Sequence, residues 1–225
     1  MKLSDPVTRK EMFRLMEPLR DQIVGIPRSK NELSNIIGEM LSHQFNANIM
    51  QADADQVDIG DMNMNACYDP EMDSFGKVCI EITLVYSPYE TMLIFDNDGF
   101  DSLTRRLCDA VAHEQIHKYQ YRERFWECWD YDIPEGEDDI KIAQMYLGNK
   151  DEIDAYSHNI ANELLDYTNQ KNVLTLLTHF STIRLEQSVN LWVYVNTFGR
   201  DINHPVIKRL IKKVIRRLPE LESQR

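Results

Sequence analysis

Apolar residues recur at three- and four-residue spacing at both ends of the chain and alternate only in its middle. Met12, Leu15, Met16, Leu19 and Ile23 predict an amphipathic helix over 8–24, with Pro18 placed to kink or divide it. Leu33, Ile36, Ile37, Met40, Leu41 and Phe45 predict a second helix over 29–45, opened by Ser29 as N-cap. From residue 56 the period shortens. Residues 57–60 alternate briefly and 62–68 less cleanly, while 77–86 (KVCIEITLVY) is the best strand in the chain. Residues 91–95 are a second strand candidate, and the segments 69–70, 73–76 and 96–99 carry turn chemistry. A long helix is expected over 102–124, capped by Asp101 or Ser102, with Leu103, Leu107, Ala110, Val111, His113, Ile116 and His117 near one face. Further helices are expected over 151–167, over 172–197 as one long helix or a pair, and over 205–218. With no internal repeat and no long linker, the pattern predicts one α+β domain spanning 1–225. It would have a helical N-terminal part (1–50), a core with a small sheet (51–170) and C-terminal helices (171–225).

Composition narrows the class. The 225 residues include 8 Gly and 8 Pro, too few for collagen-like or most low-complexity chains. No apolar run approaches the roughly 18 residues of a spanning helix, so no membrane partner is expected. The N-terminus lacks the apolar stretch of a secretory signal. Cys67, Cys79, Cys108 and Cys128 form no CxxC pair and read as free thiols of a reducing cytosol; a Cys67–Cys79 bridge across a hairpin is the alternative. The net charge of −12 argues against a protein that coats nucleic acid with its whole surface. The charge is uneven: 46–100 holds eleven acids and one base, 125–140 seven acids and no base, and 199–225 eight bases and three acids.

The stretch that carries chemistry is Ala112-His113-Glu114-Gln115-Ile116-His117, an H-E-x-x-H sequence on a predicted helix. Residues at i and i+4 project about 40° apart, so both imidazoles can reach one Zn²⁺ at roughly 2.0–2.1 Å. Glu114 projects to the side, where a carboxylate can act as general base rather than as ligand. Burying two His and a Glu without partners is costly, and a metal would satisfy both rings. A third ligand is needed. Position 120 is Gln120, so no H-x-x-G-x-x-H continuation follows. Glu152 lies beside the apolar stripe of Ile153 and Ile160 and would point to the core side, although a carboxylate also suits the start of a helix. Asp154 is the alternative ligand, directed to the other side of that helix.

His113-Glu114-Gln115-Ile116-His117 followed by Glu152-Ile153-Asp154-Ala155 resembles the zincin metallopeptidases of the gluzincin type, with a Glu-x-x-Ala third-ligand helix. The string EIDAYSHNIANELL, residues 152–165, resembles the corresponding helix of ImmA/IrrE-type peptidases. The likeness covers about residues 76–166. It implies a zincin-like fold with a small mixed sheet packed on the HExxH helix. It also implies one Zn²⁺ per chain on His113, His117 and Glu152, with Glu114 as catalytic base. The implied reaction is hydrolysis of a peptide bond by a metal-activated water, on a peptide or protein substrate that pairs with an edge strand over 77–86 or 91–95. The likeness also points to a bacterial or bacteriophage setting. Lys118, where zincins carry an uncharged residue, and the long interval to Glu152 are departures.

Around this core, Tyr156 and Tyr119 are candidate donors to the oxyanion, against the reading that both are rim aromatics. Asp109 could orient the His113 ring or lie at the surface. Lys208, Arg209, Lys212, Lys213, Arg216 and Arg217 line one face of the last helix, as a solvated face or as a contact for nucleic acid. The second would make the chain resemble a DNA-associated SprT-type protease. A zincin fold used only for binding is the other alternative. The acidic, aromatic 126–139 stretch reads as an exposed loop or a lid. Acid around the site would favour basic peptides.

Overall fold

Thr8 opens the first helix by accepting the Glu11 N–H at 3.1 Å. Helix α1 (Arg9–Met16) then gives way to a 3₁₀ turn at Glu17–Leu19, where Pro18 sits, before the short α2 (Arg20–Ile23). Ser29 starts α3 (Lys30–Phe45) with a capping box: its side chain accepts the Glu32 N–H, and the Glu32 carboxylate accepts the Ser29 N–H at 2.8 Å. Asn46 ends α3 in the left-handed region (φ 54°) and donates from its side chain to the Lys77 carbonyl at 2.7 Å, which turns the chain into the first strand.

The computed structural model describes residues 6–125, 136–178 and 187–225. The chain forms two units, Met1–Trp126 and Glu127–Arg225, each with its own buried apolar cluster. The first is α+β. Its sheet has the order β1 (Ala47–Asp53), β3 (Ile80–Tyr86), β2 (Met62–Tyr68), with the short α4 (Pro70–Ser74) between β2 and β3. The central β3 pairs parallel with β1 and antiparallel with β2. Period-two alternation decides what faces the core. Ile80, Ile82, Leu84 and Tyr86 of β3 are buried, and Met62, Met64, Ala66 and Tyr68 of β2 pack beside them. Asn63, Asn65 and Cys67 face away and are exposed.

The long helix α5 (Asn97–Glu123) packs on β2. Its N-cap is Asp96, not Asp101 or Ser102, because the Asp96 carboxylate accepts the Gly99 N–H at 2.7 Å. The turn expected over 96–99 is therefore the first turn of the helix. A Cβ at Gly99 would meet that carboxylate at 3.1 Å, which favours glycine there. Three other expectations change. Residues 91–95 form no strand but two isolated bridges, Leu93 with Arg28 and Phe95 with Val24. Residues 57–60 are no strand either; the missing partner is β1. Part of the turn over 73–76 belongs to α4, capped by Asp69.

The second unit is helical among the described residues: α6 (Asp139–Gly148), α7 (Lys150–Tyr167), α8 (Gln170–Thr178), α9 (Val189–Thr197) and α10 (Pro205–Ser223). The described residues of the 172–197 segment thus include parts of two helices, α8 and α9. The buried stripe Ile207, Leu210, Val214, Leu218 and Leu221 seats α10 against α7. The helix runs past its expected end through Pro219, because Leu221 continues the stripe. Arg225 then donates to Asn162 O at 3.0 Å and to Asp166 at 2.8 Å, holding the segment after α10 to α7. The expected acidic loop residues Trp126, Glu127, Trp129 and Tyr131, together with Cys128, lie outside the described residues. Among the described residues no helix is long and apolar enough to cross a membrane.

Candidate metal centre

The H-E-x-x-H sequence lies in the C-terminal half of α5, whose placement is fixed on two sides. On one, Arg9 of α1 pairs with Asp109 at 2.8 Å and Gln115 accepts the Val7 N–H at 2.8 Å. On the other, Asp73 of α4 is almost fully buried and receives Lys118 Nζ at 3.0 Å, Arg122 through two nitrogens at 2.8 and 2.9 Å, and the Tyr68 hydroxyl at 2.9 Å. Burial alone would raise the Asp73 carboxyl pKa; the Arg122, Lys118 and Tyr68 hydrogen bonds outweigh it and hold the group below its ordinary value. Lys118, the departure beside the motif, therefore serves as an anchor of the helix. It also donates to Cys79 Sγ at 3.3 Å.

With the backbone fixed, the i, i+4 spacing brings His113 and His117 together. Their Nε2 atoms are 3.0 Å apart and their rings meet edge-on with centroids 4.7 Å apart. His113 is buried and His117 partly so. The Nδ1 of His117 lies 2.9 Å from Gln120 Oε1, an acceptor that favours the tautomer with its proton on Nδ1 and a lone pair on Nε2. That is the tautomer a ligating imidazole needs. Gln120, at i+3 from His117, was not foreseen as a site residue, although i+3 spacing is the signal that would have found it.

Glu152 is buried in the first turn of α7. Its carboxylate accepts from the Tyr146 hydroxyl of α6, which also hydrogen-bonds with Tyr156; burial, then the charges of Tyr156 and Glu152, push the Tyr146 pKa far up. Tyr146 is thus a residue the sequence reading missed, since nothing local to α6 marks it. Tyr156 is half-buried and meets Tyr194 edge-on, centroids 5.5 Å apart.

One ligand atom from each of His113, His117 and Glu152 lies within 4.8 Å of the others, and this group could hold a metal ion. Two ligands at about 2.1 Å from a tetrahedral ion stand roughly 3.4 Å apart, so the His pair needs to open by only a few tenths of an ångström. Two imidazole nitrogens and one carboxylate oxygen would leave the fourth position of a tetrahedral ion open. Glu114 is buried between the two His positions in sequence.

Other candidates go elsewhere. Asp154 pairs with Lys213 at 2.6 Å and Arg217 at 3.1 Å, so it is engaged by α10. Asp109 is engaged by Arg9. Tyr119 is exposed and donates to Glu123 at 2.8 Å. Cys67, Cys79 and Cys108 form no disulfide among the described residues. Among the described residues the free sheet edge beside α5 is β2, because β3 is central; the expectation of an edge strand over 77–86 or 91–95 is corrected accordingly. Burial, then the charges of Glu81, Glu114 and Asp69, raise the thiol pKa of Cys67 on this strand. Searches against protein families, curated proteins and solved structures find no match to the chain.

Proposed function

We propose that the protein is a zincin-like, zinc-dependent peptidase. The reading rests on one observation: an H-E-x-x-H pair with Nε2 atoms 3.0 Å apart, grouped with a buried carboxylate within 4.8 Å. His113, His117 and Glu152 would hold the ion. Zn²⁺ bound there supplies a Lewis acid that polarises a carbonyl and makes water acidic near neutral pH. The chain's own residues do the rest. Gln120 holds His117 in the ligating tautomer, and Tyr146 orients Glu152. Glu114, the carboxylate between the two ligands, takes the proton of the attacking water and returns it to the leaving amine. The β2 edge offers backbone groups to an extended substrate. The acid-rich sequence of the sheet region favours basic peptides overall.

Metal analysis of protein purified after expression with zinc tests the metal. We expect about one zinc per chain in the wild type and a loss of tenfold or more in affinity for His113→Ala, since removing a ligand costs at least what removal of a ligand's own hydrogen-bond partner does. A metal-free wild type overturns the proposal.

Contact with nucleic acid is a second, narrower reading. Lys213 and Arg217 are spent on Asp154, whereas Lys208, Arg209, Lys212 and Arg216 are exposed and make no ion pair among the described residues. Four cations on one helix face predict DNA binding at low salt only, with a slope of log affinity on log salt no steeper than about −4. Reversing the four charges should abolish it. No binding at low salt removes this reading.

A further inference from the structure

The cations of α5 are not used alike. Lys118 and Arg122 share the Asp73 carboxylate. Arg106 makes no ion pair among the described residues. Its one hydrogen bond among the described residues is from Nη1 to the Met62 carbonyl at 2.6 Å, at the start of β2. The side chain is half-buried, and burial lowers its pKa with only the Asp61 charge opposing. A guanidinium has five N–H donors, and a partly desolvated one without an anion is a ready carboxylate site.

Its position gives that site a direction. Arg106 precedes His113 by seven residues, which places it on the same face of α5, about 20° off and roughly 10.5 Å toward the helix N-terminus. Strand β2 runs the same way, with Met62 at Arg106 and, beyond the Glu114 level, Tyr68 against Tyr121, ring centroids 5.6 Å apart. An extended peptide pairing antiparallel on the free β2 edge would run from the Cys67 end to the Met62 end. Antiparallel pairing is the more stable mode and the one β2 already makes with β3. Such a peptide would pass the Glu114 level first and reach Arg106 with its C-terminal part. At about 3.3 Å per residue, 10.5 Å is roughly three residues.

We propose that Arg106 anchors a carboxylate of the substrate about three residues to the C-terminal side of the bond that is cut. This rests on the peptidase reading and deepens it. The favoured substrate is basic over most of its length and carries either its own chain terminus or an Asp or Glu at that point.

The probes are random N-acetylated octapeptides in four sets: free acid, amide, amide with one Asp near the C-terminal end, and amide with one Asp near the N-terminal end. Retention on immobilised, zinc-loaded Glu114→Gln protein is read by mass spectrometry. We expect the free-acid set, the C-terminal Asp set, or both, to be enriched at least fivefold over the plain amides. Enrichment of the free acids alone assigns the chain terminus, and equal enrichment of both assigns any carboxylate there. Adding Arg106→Gln should reduce the enrichment to less than twofold, and Arg106→Lys should keep part of it. Asp61→Asn leaves Arg106 in place and removes the opposing charge, so it should strengthen retention two- to fivefold. No enrichment, equal enrichment in Arg106→Gln, preference for the N-terminal Asp, or no gain in Asp61→Asn overturns the anchor. Enrichment intact while the wild type cleaves none of the library supports the anchor and rejects hydrolysis.

Discussion

Glu114→Gln is expected to abolish the proposed peptide hydrolysis while leaving zinc binding intact. General acid–base groups contribute typically 10²–10⁴-fold to rate, and this one would serve both proton transfers, so a loss of about 10³–10⁴ in kcat is expected. The amide is nearly isosteric and Glu114 is no ligand in the proposed centre, so metal content and melting temperature should stay within error of the wild type. The contrast with His113→Ala is the informative part: that change loses metal and activity together. Full activity in Glu114→Gln would sink the mechanism. Bound zinc with no cleavage by either protein would favour a zincin fold used for binding.

The H-E-x-x-H pair was legible in the sequence because its geometry is local. Four residues of helix suffice to set two imidazoles side by side, whatever the rest of the chain does. The helices carrying it and Glu152 were legible for the same reason, from apolar residues at helical spacing. Errors at their ends came from side-chain chemistry: Asp96, three residues before Gly99, reads equally well as a turn or as an N-cap. Strand β1 was not legible. Ala47–Asp53 (ANIMQAD) has little β-branching, and it is a strand because parallel pairing with β3 holds it. Because β1 was missed, β3 was taken for an available edge.

The supports of the site divide the same way. Gln120 lies one turn after His117 and could have been found by spacing. Tyr146 could not, since its hydroxyl meets Glu152 only once α6 and α7 pack. The basic last helix was read as one face of six cations; packing α10 on α7 spends two of them on Asp154 and leaves four. The same change explains why Asp154 is no ligand. Its pKa would be raised by burial, but Arg217 and Lys213 outweigh that and hold it down.

Asp73→Ala should destabilise the protein more than any change at the candidate metal centre. The carboxylate is nearly inaccessible (side chain 3% exposed) and is shared by Lys118 and Arg122, whose side chains are 21% and 35% exposed. Removing one partner of a buried ion pair costs about 3–5 kcal/mol because the other charge is left without compensation. Both cations here can partly regain water, which puts the expected cost near the lower end, about 3 kcal/mol. For a chain of this length that is a fall in melting temperature of roughly 6–12 °C. Asp73→Asn keeps the volume and one acceptor, so it should lose less. The pH dependence has a definite sign. The folded pKa of Asp73 lies below the ordinary carboxyl value of 3.8, so its contribution is fully present above that value and is lost as pH falls through the folded pKa. Wild-type stability should therefore drop more steeply than that of Asp73→Asn on acidification below about pH 4. Because Lys118 directly follows His117, the same substitution loosens the turn that carries the second imidazole. Zinc affinity should then fall with stability, although Asp73 belongs to α4 and is no ligand. Differential scanning of wild type and both variants across pH 3–7, with zinc titration at pH 7, checks each part. A melting temperature for Asp73→Ala within 2 °C of the wild type would mean that Lys118 and Arg122 are held by something other than this carboxylate.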